Sequence, residues 1–132
     1  MDRNLTGNVL FAVFVSLLLF GTSFVVFAEV ASAEEEFMDG DYIYTLNASL
    51  TEATIKQYAG LGGDIVIPST LDGYITAGIN AEAFNYAQGY KVTSVIVPNS
   101  VRTIGSYTFA NCNLLTSVYI GSGVTSLGDQ VF

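Results

Sequence analysis

The residues able to do chemistry in this chain of 132 residues are few and scattered. Histidine is absent, which removes imidazole acid–base pairs, hydrolytic triads and the commonest metal ligand. The single cysteine, Cys112, has no imidazole to activate it as a nucleophile and reads as a small buried residue. It cannot form an internal disulfide either, although small exported domains often rely on several. Asp39 and Asp41 invite a calcium reading, but the further oxygen ligands of a calcium loop are missing, so the stretch reads as solvated. Glu34–Glu36 reads likewise as a charged tail. Gly60-x-Gly62-Gly63 lacks the Lys-Ser/Thr and following helix of a phosphate loop and reads as a linker. Asn47-Ala48-Ser49 matches the glycosylation triplet, which acts only in a suitable host. No catalytic residue, metal site or cofactor is expected, and this stretch of chain is not read as an enzyme.

Charge narrows the partners. Formal net charge is −8, and beyond Ala33 the only bases are Lys56, Lys91 and Arg102. Phosphate backbones are held by clustered lysine and arginine, so no nucleic-acid partner is expected, and an anionic membrane surface would repel the domain. The acidity reads first as a solubility device.

Most of the hydrophobicity sits near the start. Val9–Phe27 is an uncharged run of 19 residues, preceded by Arg3 and followed by Ala31-Ser32-Ala33, a small-x-small pattern of the kind signal peptidase admits. Residues 1–33 are therefore expected to be a signal peptide. The alternative is an uncleaved N-terminal anchor, since 19 apolar residues suffice to span a bilayer. Either reading exports the rest, and either gives the chain contact with a membrane only through this segment. Residues 34–64 then read as an acidic N-terminus, a β-hairpin cap and a Gly-rich linker, and residues 65–132 as repeats.

The repeat is explicit. Residues 92–109 (VTSVIVPNSVRTIGSYTF) align without gaps on residues 115–132 (LTSVYIGSGVTSLGDQVF) at an offset of 23. Val92, Val95, Val97, Val101, Ile104 and Phe109 meet Leu115, Val118, Ile120, Val124, Leu127 and Phe132. Apolar positions keep register while the residues between them drift, as a buried ladder with a free surface requires. Val95 and Val97 face one way on a strand, Pro98 stops it, and the remaining apolar residues fill a coil. A looser copy, Ile65-Val66-Ile67-Pro68 with Ile79 and Ala83-Phe84, lies 30 residues before the second at its strand, with uncertain register around Ile75–Gly78. A single coil cannot bury enough to stand alone, so neighbours must stack on it.

With Ala83-Phe84, Val101-Arg102-Thr103-Ile104-Gly105 and the run from Ala110 through Cys112, Leu115 and Val118 to Ile120, this pattern resembles the BspA-like leucine-rich repeat. Gly121 replaces the proline that the family prefers, and Thr108 and Val131 replace its alanine. The resemblance implies a mainly β leucine-rich-repeat solenoid of about two and a half to three repeats with a parallel strand ladder. Residues 37–64 resemble the segment that often precedes such repeats, with Asp41–Leu46 and Ala53–Tyr58 alternating as a hairpin that caps the array.

The resemblance also implies an exported or cell-surface protein that binds other proteins or mediates adhesion. A structural spacer, or a targeting module of a longer protein carrying another domain and possibly an enzyme, is the alternative. Residues between the buried strand positions face the concave side, which makes Thr93, Ser94, Ile96, Thr116, Ser117 and Tyr119 the candidate binding residues, with Ile96 beside Tyr119 in the stack. The chain stops at the core position Phe132, and a longer array is expected. Two and a half repeats are marginal for stability, so the isolated piece is expected to melt easily or self-associate. A monomer with a sharp, high melting transition would contradict this.

Overall fold

Val92, Val95 and Val97 cannot all point inward from one short strand unless the chain then returns to cover them. A computed structural model, which describes residues 34–85 and 91–132, shows that return. Strand β7 (Val92–Val97) leads past Pro98 into a turn, and β8 (Thr103–Ile104) runs back across the coil. Val92, Val95, Val97 and Val101 are at most 1% exposed, and Ile104 and Phe109 are 2% exposed. The coil before it supplies β4 (Gly63–Val66) and β6 (Tyr74–Ile79), and the coil after it β9 (Ser117–Ile120) and β10 (Ser126–Leu127). Each coil thus gives one strand to each of two parallel ladders, β4-β7-β9 and β6-β8-β10. Ile65 pairs with Val95 and Val95 with Val118, while Ile79 pairs with Ile104 and Ile104 with Leu127. This is the register that the sequence alignment predicts, and the fold is a β-solenoid of about three turns. The segment predicted as a signal peptide or anchor, residues 1–33, lies outside the described residues.

The first coil is longer for a local reason. Thr70–Leu71 forms β5, which pairs antiparallel with the start of β6. Asp72 and Gly73, at φ 48° and 88°, make the two-residue turn between them, a conformation that Asp-Gly favours. This small hairpin lengthens the offset between β4 and β7 and also reaches the cap. The Asp72 backbone N–H donates to Asp39 Oδ2 at 2.8 Å, and the Tyr44 hydroxyl donates to Asp72 Oδ2 at 2.7 Å.

Two readings of the N-terminal part are corrected here. The expected two-stranded hairpin is a three-stranded antiparallel meander, β1 (Glu36–Asp39), β2 (Tyr42–Leu46) and β3 (Glu52–Tyr58). Glu36 is therefore a strand residue, bridged to Lys56 at 2.5 Å, and Asp39 is a half-buried strand residue that accepts a backbone N–H. Strand β1 offers only one inward aromatic, Phe37, whose ring lies 5.6 Å from that of Tyr44; one such residue gives no alternation to read. The meander continues the array, because β3 pairs parallel with β6, with Ile55 opposite Ile79.

Aromatic rings run through the whole stack. Tyr42, Tyr58, Phe84, Phe109 and Phe132 follow one another with ring centroids 5.5, 5.1, 4.9 and 5.7 Å apart, within the range of favourable aromatic pairs. Backbone bonds repeat alongside them: Tyr58, Phe84 and Phe109 N–H groups donate to the carbonyls of Ala83, Thr108 and Val131 at 2.9, 3.1 and 2.7 Å. Two residues before each phenylalanine, Glu82, Tyr107 and Gln130 share a left-handed φ of 59°, 58° and 49°, so all three coils make the same turn.

Glycine after the second strand of a coil has a steric cause. A Cβ built on Gly105 would collide with the backbone nitrogen of Ala81 and lie 2.7 Å from its Cα, and one on Gly128 would meet Ser106 in the same way. Backbone cannot yield as a side-chain tip can. Gly105→Ala is expected to destabilise the fold by about 1–3 kcal/mol, the usual range for overpacking, read as a lowered urea midpoint. An unchanged midpoint would contradict this packing.

Candidate interaction surface

Alternation on β4, β7 and β9 sends every second side chain away from the core. In the parallel register these outward residues form rows across the strands. Asp64, Ser94 and Ser117 make one row, and Val66, Ile96 and Tyr119 the next. The second row is apolar and open: Val66, Ile96 and Tyr119 are 66%, 44% and 61% exposed.

The sequence-predicted residues take their places around these rows. Ile96 is opposite Tyr119 and Ser94 opposite Ser117, as expected. Thr93 occupies a register shift between β4 and β7, and Thr116 precedes β9, its N–H and hydroxyl donating to the Thr93 carbonyl at 2.9 and 3.1 Å. Asp64 and Val66 escaped the sequence reading. The signal was present, because matching Ile65-Val66-Ile67-Pro68 to Val95-Ile96-Val97-Pro98 puts Val66 in the Ile96 column and Asp64 in that of Ser94.

Asp64 is the one formally charged residue in these two rows. Thr93 Oγ1 and Ser94 Oγ donate to its Oδ1 at 2.8 and 2.6 Å. Those bonds lower the carboxyl's pKa from the ordinary aspartate value, the Ser94 bond contributing most, and so favour its ionised form. No described residue donates to Oδ2. The surface therefore combines a fixed negative charge, a patch of hydroxyls and an apolar row.

Other motifs resolve into structure. Asn47 Oδ1 accepts the Thr51 and Glu52 N–H groups at 2.9 and 3.2 Å, so its side chain closes the β2–β3 turn. Cys112 is 7% exposed, with its thiol facing the Phe84 carbonyl at 3.8 Å. Among the described residues, no group of three or more Cys, Asp or Glu is placed to hold a metal ion, and no helix is long and apolar enough to cross a membrane.

The description "BspA type leucine rich repeat region (6 copies)" belongs to the family model that matches residues 75–132. Residues 75–132 are BspA-type leucine-rich repeats. Solved structures agree. A leucine-rich cell surface protein from Faecalibacterium prausnitzii is 36% identical with a TM-score of 0.65, over 76% of this chain and 28% of that one. A leucine-rich repeat protein of Treponema pallidum is 28% identical with a TM-score of 0.63, over 70% of this chain and 42% of that one. A leucine-rich repeat protein from Bacteroides capillosus is 27% identical with a TM-score of 0.61, over 71% of each chain. The chain thus spans less than half the length of the first two. A search of curated proteins finds no match.

Packing at the close of the second coil also accounts for the cysteine. Cys112 follows Phe109 by three residues at the turn where the coil closes, and burial pushes its thiol up to about 11 from 9.0. A thiol raised on folding contributes stability below its unfolded value that is lost as pH climbs from about 9 towards 11. At neutral pH it is protonated and shielded. Ellman's reagent is expected to react with it slowly in the native chain and fully in urea; rapid native labelling would contradict its burial.

Proposed function

We propose that this chain is an exported or cell-surface repeat protein with no catalytic role of its own, which binds other proteins through the outer face of the β4-β7-β9 sheet. The observation that carries this reading is the open row Val66–Ile96–Tyr119 on a rigid parallel sheet. Single exposed apolar residues are ordinary, whereas a contiguous row in register is a contact surface in waiting. Flat, rigid ladders suit binding because little entropy is lost when a partner arrives. In a solenoid, outward residues change without disturbing the core. The surface placement draws on the Faecalibacterium relative, itself described as a cell surface protein, and on the apolar run Val9–Phe27.

Adhesion gives the test. Beads coated with the full chain are offered epithelial cells and immobilised extracellular-matrix proteins, beside beads carrying the Ile96→Ala/Tyr119→Ala variant. Loss of two exposed apolar contacts at the centre of an interface is expected to weaken attachment at least about tenfold. Equal attachment by both chains, or none by the wild type above bare beads, would overturn the reading.

A further inference from the structure

We infer that the partner presents a lysine or arginine to Asp64, next to apolar side chains that lie along Val66, Ile96 and Tyr119. The inference rests on the preceding reading of this face as a protein-binding surface and names the chemistry it selects.

Three observations converge on it. Asp64 stands two residues before Val66 on β4, on the same side of the sheet, about 7 Å along the strand. The flexible stem of a lysine or arginine is itself apolar, so its carbons can cover Val66 while its head meets the carboxylate. The carboxylate is also built for this. Thr93 and Ser94 both bond one oxygen, Oδ1, which fixes the group's orientation, and the second oxygen receives no donor among the described residues. An oriented carboxylate loses less freedom on pairing than a free one.

Charge supplies the third. Past Ala33, ten acidic residues face only Lys56, Lys91 and Arg102. Lys56 is bridged to Glu36 in the cap, and Arg102 to Glu52 at 2.5 Å on the other sheet. The field of the whole domain therefore draws basic segments and repels acidic ones, while the other outward residues of the two rows are neutral. A surface of serines with the Val66, Ile96 and Tyr119 side chains alone would accept almost any apolar segment; a single anchored aspartate at its corner makes it choose.

The experiment is selection of a phage-displayed random dodecapeptide library on the immobilised full chain. Binding of the selected peptides is then measured to wild type and to three variants. Asp64→Asn keeps the shape and the ability to accept the two hydroxyl bonds but removes the charge. Asp129→Asn removes an equal charge from an exposed site in the third coil. Ile96→Ala/Tyr119→Ala removes the apolar row. The expected result is enrichment of peptides with a basic residue beside branched or aromatic ones. Their affinity should fall about tenfold on Asp64→Asn, the size of one lost charge-assisted contact, and should be insensitive to Asp129→Asn within about twofold.

Other outcomes are separable. Peptides that need Ile96 and Tyr119 but carry no basic residue, or that bind Asp64→Asn as well as wild type, overturn this inference and leave the binding face intact. An equal loss with Asp129→Asn shows attraction to net charge alone and also overturns it. Peptides that bind the Ile96→Ala/Tyr119→Ala variant as well as wild type sink the face itself. So does the absence of any enriched peptide when the wild type stays monomeric. Self-association of the wild type that this double variant abolishes, with no peptide selected, makes a second copy the occupant and overturns the basic partner.

Discussion

Each coil of this chain is completed by the coil beside it. A set of inward valines and isoleucines has nothing above or below it until the next set arrives in register, and the same holds for the backbone groups at the coil's turns. The aromatic column makes the dependence visible. Phe84 packs on Tyr58 in the cap and on Phe109 in the following coil, and its N–H donates to Thr108. Register is held by steric demand as much as by attraction, since the backbone passes too close at Gly105 and Gly128 for a side chain to fit. The offset between coils is therefore set wherever these contacts are made, and the outer rows follow from it.

That dependence also explains what the cap does. A first coil with an uncovered face would leave Ile79 and Phe84 in water. The meander supplies the missing neighbour, with Ile55 opposite Ile79 and Tyr58 against Phe84. Contacts from Asp72 to Asp39 and Tyr44 tie it down from the other side. Lengthening the first coil by a hairpin thus couples cap to array, and the longer spacing has a structural cause.

The parts legible in the sequence were those in which two copies could be compared. The second and third coils differ by a constant offset, so their strands, the second coil's core positions and the pairing of Ile96 with Tyr119 could be read directly, whereas Leu127 and Phe132, at the matching positions of the third coil, are 53% and 57% exposed. Where the period is broken, the sequence carries a weaker signal. The inserted hairpin moved the first coil out of step, and Asp64 and Val66 were passed over although they share columns with Ser94 and Ile96. Strand β1 has a single inward aromatic and left no periodic trace. Tyr58's place in the aromatic column was hidden as well, because Ile55 and Tyr58 are three apart where Ile79 and Phe84 are five apart. The anchoring of Asp64 by two hydroxyls depends on the register shift at Thr93, which is a property of the paired strands and not of either one.

The central claim is that cap and coils form one array held by contacts between neighbours. Native-state hydrogen exchange on the wild type and on Phe84→Ala tests it most directly. Truncating that ring is expected to cost about 3–5 kcal/mol. The loss of protection should appear together in β3 of the cap and in β7 and β8 of the second coil, because Phe84 stands between them. Protection in β3 that persists while β7 and β8 open would show the cap to be an independent unit and contradict the account.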